Sequence, residues 1–133
     1  VQGLQEAAPH AQAAGVTLGV EPLNRFETDI LNTTRQGVAL MKLVNHASIG
    51  LVLDTFHMNM EDDGIADAIR AAAGHIAHFQ ANENHRGYLG TGHIDRTAVV
   101  RALASLTFTS SASTPARWAR ARICSDRARS RSG

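Results

Sequence analysis

An α/β fold built around a parallel sheet is what this sequence predicts, on three observations. Strand, loop and helix signals follow one another three times along residues 1–105. The run IGLVLD (49–54) is almost continuously apolar, as in a strand buried on both faces of a parallel sheet. Each strand candidate also ends on a side chain able to hold a metal or move a proton: Glu21, Asp54 and Gln80.

The elements follow in order. Residues 2–14 (QGLQEAAPHAQAA) are rich in Ala, Gln and Glu and read as a helix despite Pro9, with Gly15 as the stop. TLGVE is a short strand candidate that leads to the Glu21 carboxylate. Residues 33–45 (TTRQGVALMKLVN) predict an amphipathic helix capped by Thr33 or Thr34. Val38, Met41 and Val44 recur every three residues there, and Leu40 sits at helical spacing from Leu43 and Val44. After the 49–54 strand, GIADAIRAAA (64–73) is the next helix, ended by Gly74. HIAHFQ (75–80) is the third strand, and RTAVVRALAS (96–105) the helix that follows it. The acidic run Glu61, Asp62 and Asp63 reads as a solvated helix N-terminus.

A chain of 133 residues supports one modest domain with a core. Its 44% hydrophobic and 19% charged content suits a soluble α/β protein. No apolar run approaches the roughly 18 residues of a membrane span, and no cleavable leader pattern is present. Cys124 is the single cysteine, which excludes an internal disulfide and predicts a reducing cytoplasm. The chain opens on Val1 rather than Met, so an upstream segment is expected.

The net charge of +1 conceals an asymmetry. Residues 1–116 hold 7 Lys and Arg against 11 Asp and Glu, whereas residues 117–133 hold 6 Arg against one Asp. After Leu106 the periodicity stops and Arg, Ala and Ser dominate, so 106–133 reads as a separate disordered tail. A basic arm on nucleic acid is disfavoured, because the segment lacks interleaved aromatics beyond Trp118. A plain solvated tail is the second reading. The third, which is preferred, is coding DNA read out of frame, since the change falls where a fourth strand is due.

In a parallel α/β barrel the catalytic groups gather where strands end, so Glu21, Asp54 and Gln80 would converge on one mouth. Two carboxylates and an amide oxygen are hard ligands, suited to Mg²⁺, Mn²⁺ or Co²⁺. Taken singly, either carboxylate is more often a helix cap or a solvated charge, and the pattern alone leaves both readings open.

Three stretches then carry a resemblance: EPLNRFETDILNT (21–33), LDTFHMNMEDD (53–63) and HFQANENHRGYLGTGHID (78–95). In this order and spacing they resemble the D-tagatose 3-epimerase and sugar-phosphate isomerase/epimerase family, over residues 1 to about 105. The resemblance implies a xylose-isomerase-like (β/α)₈ TIM barrel. Only about three βα units of it are present, since a full barrel takes about 250 residues. Position by position, it implies Glu21 as a metal ligand and acid/base, and Asp54 as a second ligand. Gln80 falls on the third ligand position, usually histidine in ketose 3-epimerases and glutamine in hydroxypyruvate-isomerase-like relatives. Glu27, His57 and Arg86 match residues that hold substrate oxygens. The family's fourth ligand, a second acid/base glutamate, has no counterpart, because no glutamate follows Glu83.

The implied chemistry is metal-dependent proton transfer beside the carbonyl of a ketose or hydroxy-ketone, through an enediolate. The intact enzyme is expected to be a homo-oligomer. With one acid/base glutamate lacking, this chain is expected to be an incomplete, inactive fragment. A hydroxypyruvate isomerase-like enzyme and a non-catalytic or basic-tailed binding protein are the alternatives. His75 and His78 fall on no ligand position and read as packing residues, and His85 as loop polarity.

Overall fold

A computed structural model describes residues 1–106. The tail expected from residue 106 onward therefore lies, apart from Leu106, outside the described residues. Three strands, β1 (Leu18–Val20), β2 (Ile49–Asp54) and β3 (Ile76–Gln80), form a parallel sheet in that order. Helix α1 (Gln2–Ala13) precedes β1, and α2 (Thr34–Val44) crosses from β1 to β2. The short helices α3 (Thr55–Glu61) and α4 (Ile65–Ala71) cross from β2 to β3, and α5 (Arg96–Ser105) follows β3. Parallel crossovers leave all three C-terminal strand ends at one edge, where the loops that carry chemistry begin.

Local signals account for most boundaries. Thr33 caps α2 by accepting the Gln36 amide at 3.2 Å, while the Gln36 side chain accepts the Thr33 amide at 3.0 Å, a reciprocal capping box. Asn45 closes that helix in the left-handed conformation, with φ 47°. Helix α1 runs through Pro9, whose exposed position tolerates the lost backbone bond. The core lies between the sheet and the helices: Leu51 and Leu53 of β2 are 0% and 1% exposed and cluster with Met41, Val44, Ile69, Phe79 and Val99. Among the described residues, no helix is long and apolar enough to cross a membrane.

One irregularity in the sheet sets the site. Leu51 pairs with Ile76, but the next residue, Val52, pairs with His78, so β3 carries one extra residue at Ala77. Side chains alternate faces along a strand, so this bulge flips the remainder of β3 relative to an unbroken ladder. Phe79 thereby joins Leu53 in the core, and Gln80 comes level with Asp54.

One element was not anticipated, and one expectation needs correction. The residues after Asp54 form a helix, α3, because the Asp54 side chain caps it by accepting the Phe56 amide at 2.8 Å. The acidic run is also not a solvated helix N-terminus: Glu61 ends α3, and Asp62 is its C-cap. Glu61 takes the Arg25 amide at 2.8 Å and the Arg25 guanidinium at 3.0 and 3.1 Å. Asp62 accepts the Thr34 amide at 3.0 Å and the Thr34 hydroxyl at 2.6 Å. Of the three, only Asp63 is exposed. The partners come from the β1–α2 segment (Arg25) and the first residue of α2 (Thr34), which the crossover lays alongside α3, and charge pattern alone does not reveal them.

Candidate active site

Glu21 follows β1, Asp54 ends β2, and His57 lies in the first turn of α3. These three offer donor atoms within 4.8 Å of one another. Asp54 and His57 are buried, at 5% and 4% exposure, and Glu21 is half-buried. The Asp54 carboxylate is oriented at both oxygens, Oδ1 by the Phe56 amide and Oδ2 by the Asn82 side-chain amide at 2.8 Å. Burial lifts the Glu21 pKa above its ordinary value. His57 opposes that rise, Asp54 and Glu27 add to it, and Arg86 opposes it more weakly.

A second set of residues forms a closed circuit beside the first. The Asn24 backbone amide donates to His57 Nδ1 at 3.1 Å, and the Asn24 side-chain nitrogen lies 2.9 Å from the same atom. That side-chain amide also donates to Glu27 Oε1 at 2.9 Å, and Arg86 Nη2 donates to the same oxygen at 2.9 Å. The Arg86 guanidinium lies 4.1 Å from the centroid of the Phe56 ring, and Phe56 meets the His57 ring edge-on at 5.2 Å. Arg86 takes positive φ, 59°, at this point.

This circuit decides what His57 can do. A backbone N–H only donates, so Nδ1 must present its lone pair to Asn24, and the proton of the neutral ring sits on Nε2. His57 Nε2 lies 3.8 Å from Glu21 Oε1. A protonated Nε2 is a hydrogen-bond donor and has no lone pair for a metal. Of the trio, Glu21 and Asp54 can thus offer lone pairs to a cation while His57 Nε2 offers a hydrogen, and the Gln80 amide stands level with Asp54 as a third group that could hold a metal. The residues fit a divalent cation, because burial first and then the Asp54 and Glu27 carboxylates disfavour the charge on Glu21, and a cation beside Glu21 and Asp54 would offset this.

All six residues singled out in the sequence lie on the three strand ends and the segments that follow them. Four participants escaped sequence reasoning: Asn24, Phe56, Asn82 and Glu83. Each sits inside a motif already quoted, but amides, aromatics and buried carboxylates give no periodic signal. Glu83 is 0% exposed and accepts the Gly90 amide at 2.5 Å, with Arg96 Nε 3.9 Å away. It thereby closes the loop that carries Arg86. His85 works within that loop, accepting the Gly87 amide at 3.0 Å. His75 and His78 stand outside the trio.

The sequence profile of the xylose isomerase-like TIM barrel family matches residues 1–128. The chain belongs to this family. Within the xylose isomerase-like TIM barrel family, it is similar to an L-ribulose 3-epimerase of Mesorhizobium japonicum, 48% identical over 105 residues. That match takes in 79% of this chain and 35% of the relative. A D-psicose 3-epimerase of Ruminiclostridium cellulolyticum is 40% identical over 111 residues, which are 84% of this chain and 38% of that protein. The crystal structure of a D-psicose 3-epimerase in the presence of D-fructose superposes with a TM-score of 0.78 at 39% identity, covering 81% of this chain and 37% of that one. The chain therefore spans little more than a third of the length of these relatives. Its three βα units are a partial barrel.

Proposed function

We propose that residues 1–105 carry the metal-holding and substrate-holding part of a ketose 3-epimerase site. The observation that carries this reading is the junction of two sets: carboxylates converging from successive strand ends, and a hydrogen-bonded circuit of donors beside them. Mn²⁺, Co²⁺ or Mg²⁺ held by Glu21, Asp54 and Gln80 would polarise a ketose carbonyl and stabilise the charge that develops beside it. Glu21 is the proton acceptor beside the polarised carbonyl. His57 Nε2–H and the Arg86 guanidinium donate to substrate hydroxyls, and Glu27 accepts from one. Held by fixed partners, these groups keep the reacting C–H aligned with Glu21.

Inversion takes a second acid/base on the opposite face, and no glutamate follows Glu83 in this sequence. In this reading the chain alone binds metal and ketose and removes a proton without inverting the carbon. The reading includes a cytoplasmic setting, a small-molecule substrate, no membrane or nucleic-acid partner, and a homo-oligomer for the intact enzyme.

The test is incubation of the chain with Mn²⁺ and D-psicose or L-ribulose, the sugars its relatives are named for, in D₂O. Deuterium appearing at C3 by NMR, with no C3 epimer, is the expected outcome. Epimer formation would show that a second acid/base acts within the chain and would refute the one-sided reading. Absence of both exchange and Mn²⁺ binding would refute the ketose reading. Gln80 favours a second reading, a hydroxypyruvate isomerase-like enzyme, and hydroxypyruvate as substrate in the same assay separates the two.

A further inference from the structure

We infer that Asn24 is a positioning residue that restricts His57 to a donor role and holds Glu27 and Arg86 in register with it. Asn24 is 2% exposed, and every polar group it has is engaged within this one region. Its backbone amide and its side-chain amide both face His57 Nδ1, at 3.1 and 2.9 Å. Its side-chain oxygen accepts the Phe26 amide at 3.0 Å, and its backbone carbonyl accepts the Glu27 and Thr28 amides at 3.0 and 3.2 Å. The side chain is thus fixed by its own turn before it reaches outward. The remaining hydrogen of its NH₂ goes to Glu27 Oε1, the oxygen that also receives Arg86.

One buried amide therefore connects a residue of α3, a residue of the β1–α2 segment and a residue of the β3–α5 loop. Two donors at Nδ1 exclude the Nδ1–H tautomer, and with it the only neutral form in which Nε2 could bind a metal. Asn24 thus separates two roles that distance alone would confuse, because His57 lies as close to Glu21 and Asp54 as a ligand would.

The first measurement is ¹⁵N NMR of the histidine rings in the full chain, without metal and with saturating Mg²⁺. The expected result is a protonated Nε2 and a bare Nδ1 in both states. A bare Nε2 in the metal-free chain, or loss of the Nε2 proton when Mg²⁺ binds, would overturn the assignment. This arm needs no variant. The second arm uses Asn24→Asp, which keeps the shape but turns a carboxylate toward Glu27 and an acceptor toward Nδ1. Ketose binding by titration calorimetry should weaken about tenfold or more, the order expected for losing a hydrogen bond to a charged group. Unchanged ketose affinity would overturn the positioning role. If Asn24→Asp fails to fold, the tautomer measurement still decides. The ketose arm alone rests on the proposed function: a parent chain that binds neither Mg²⁺ nor ketose defeats that reading, while the metal-free tautomer continues to judge Asn24.

Discussion

Replacing Gly37 by alanine sets two effects of known size against each other at the joint between α2 and the site. In a helix interior, glycine to alanine favours folding by about 1 kcal/mol. A methyl at Gly37, however, would lie 2.9 Å from Leu51 Cδ2 and 3.3 Å from Pro22 Cγ. Leu51 is fully buried and the Pro22 ring is rigid, so neither gives way freely. Overpacking of this kind costs about 1–3 kcal/mol. The net expectation is destabilisation by about 1 kcal/mol, and a drop of roughly 0.5–1 M in the urea midpoint at unchanged slope. Pro22 adjoins Glu21, so Mn²⁺ affinity should fall in the same variant. Adding Leu51→Val shortens the obstructing side chain. The double variant should then be more stable than the sum of the two single changes predicts. A higher midpoint for Gly37→Ala, or strict additivity with Leu51→Val, would refute the close approach of α2 to β2 as the reason for this glycine.

Two other changes probe the braces around the site. Burial raises the Asp62 pKa above its ordinary 3.8, and the two bonds from Thr34 only partly offset this. A group raised in the folded state contributes fully below its unfolded value and loses that contribution as pH rises through the folded one, so stability should decline upward from about pH 4. Asp62→Asn still accepts the Thr34 amide and can donate to the Thr34 hydroxyl, so it should abolish that decline in urea titrations; a decline that persists would refute the account. Glu83→Ala leaves the Gly90 amide without its acceptor, and limited proteolysis should cut within residues 84–92 faster while α2 and β2 stay protected. The Gly90 amide, as the main cause, holds the Glu83 pKa below its ordinary 4.5. Loop protection in the parent should therefore hold above that pH and fail as pH drops through the lowered value; equal cutting of parent and variant would rule this out.

The elements were legible because their signals are local. The capping box at Thr33 and the continuous apolar run of β2 need no tertiary information, and both elements formed where expected. Helix α3 was hidden because its cap, Asp54, is also the last residue of a strand and a candidate ligand. The misreading of Glu61 and Asp62 has a similar origin: their partners, Arg25 and Thr34, lie 36 and 28 residues away in sequence. The three strand-end residues could be picked out, but the bulge that makes Gln80 level with Asp54 could not, since nothing in HIAHFQ marks Ala77 as the extra residue.

The two halves of the site are held by different means. Asp54 and Gln80 stand on paired strands whose register is fixed by burial of Leu53 and Phe79 on the opposite face, and Glu21 directly follows β1. His57 stands on α3, whereas Glu27 and Arg86 stand on loops, which position side chains less exactingly unless they are cross-tied. Here each loop is tied: the β1–α2 segment to the end of α3 through Arg25–Glu61, with the start of α2 fixed to the α3 C-cap through Thr34–Asp62, and the β3–α5 loop to itself through Glu83–Gly90 and to Glu27 through Arg86. Every one of these ties lies within residues 1–106, so the circuit of Asn24, His57, Glu27 and Arg86 is braced by the described residues themselves.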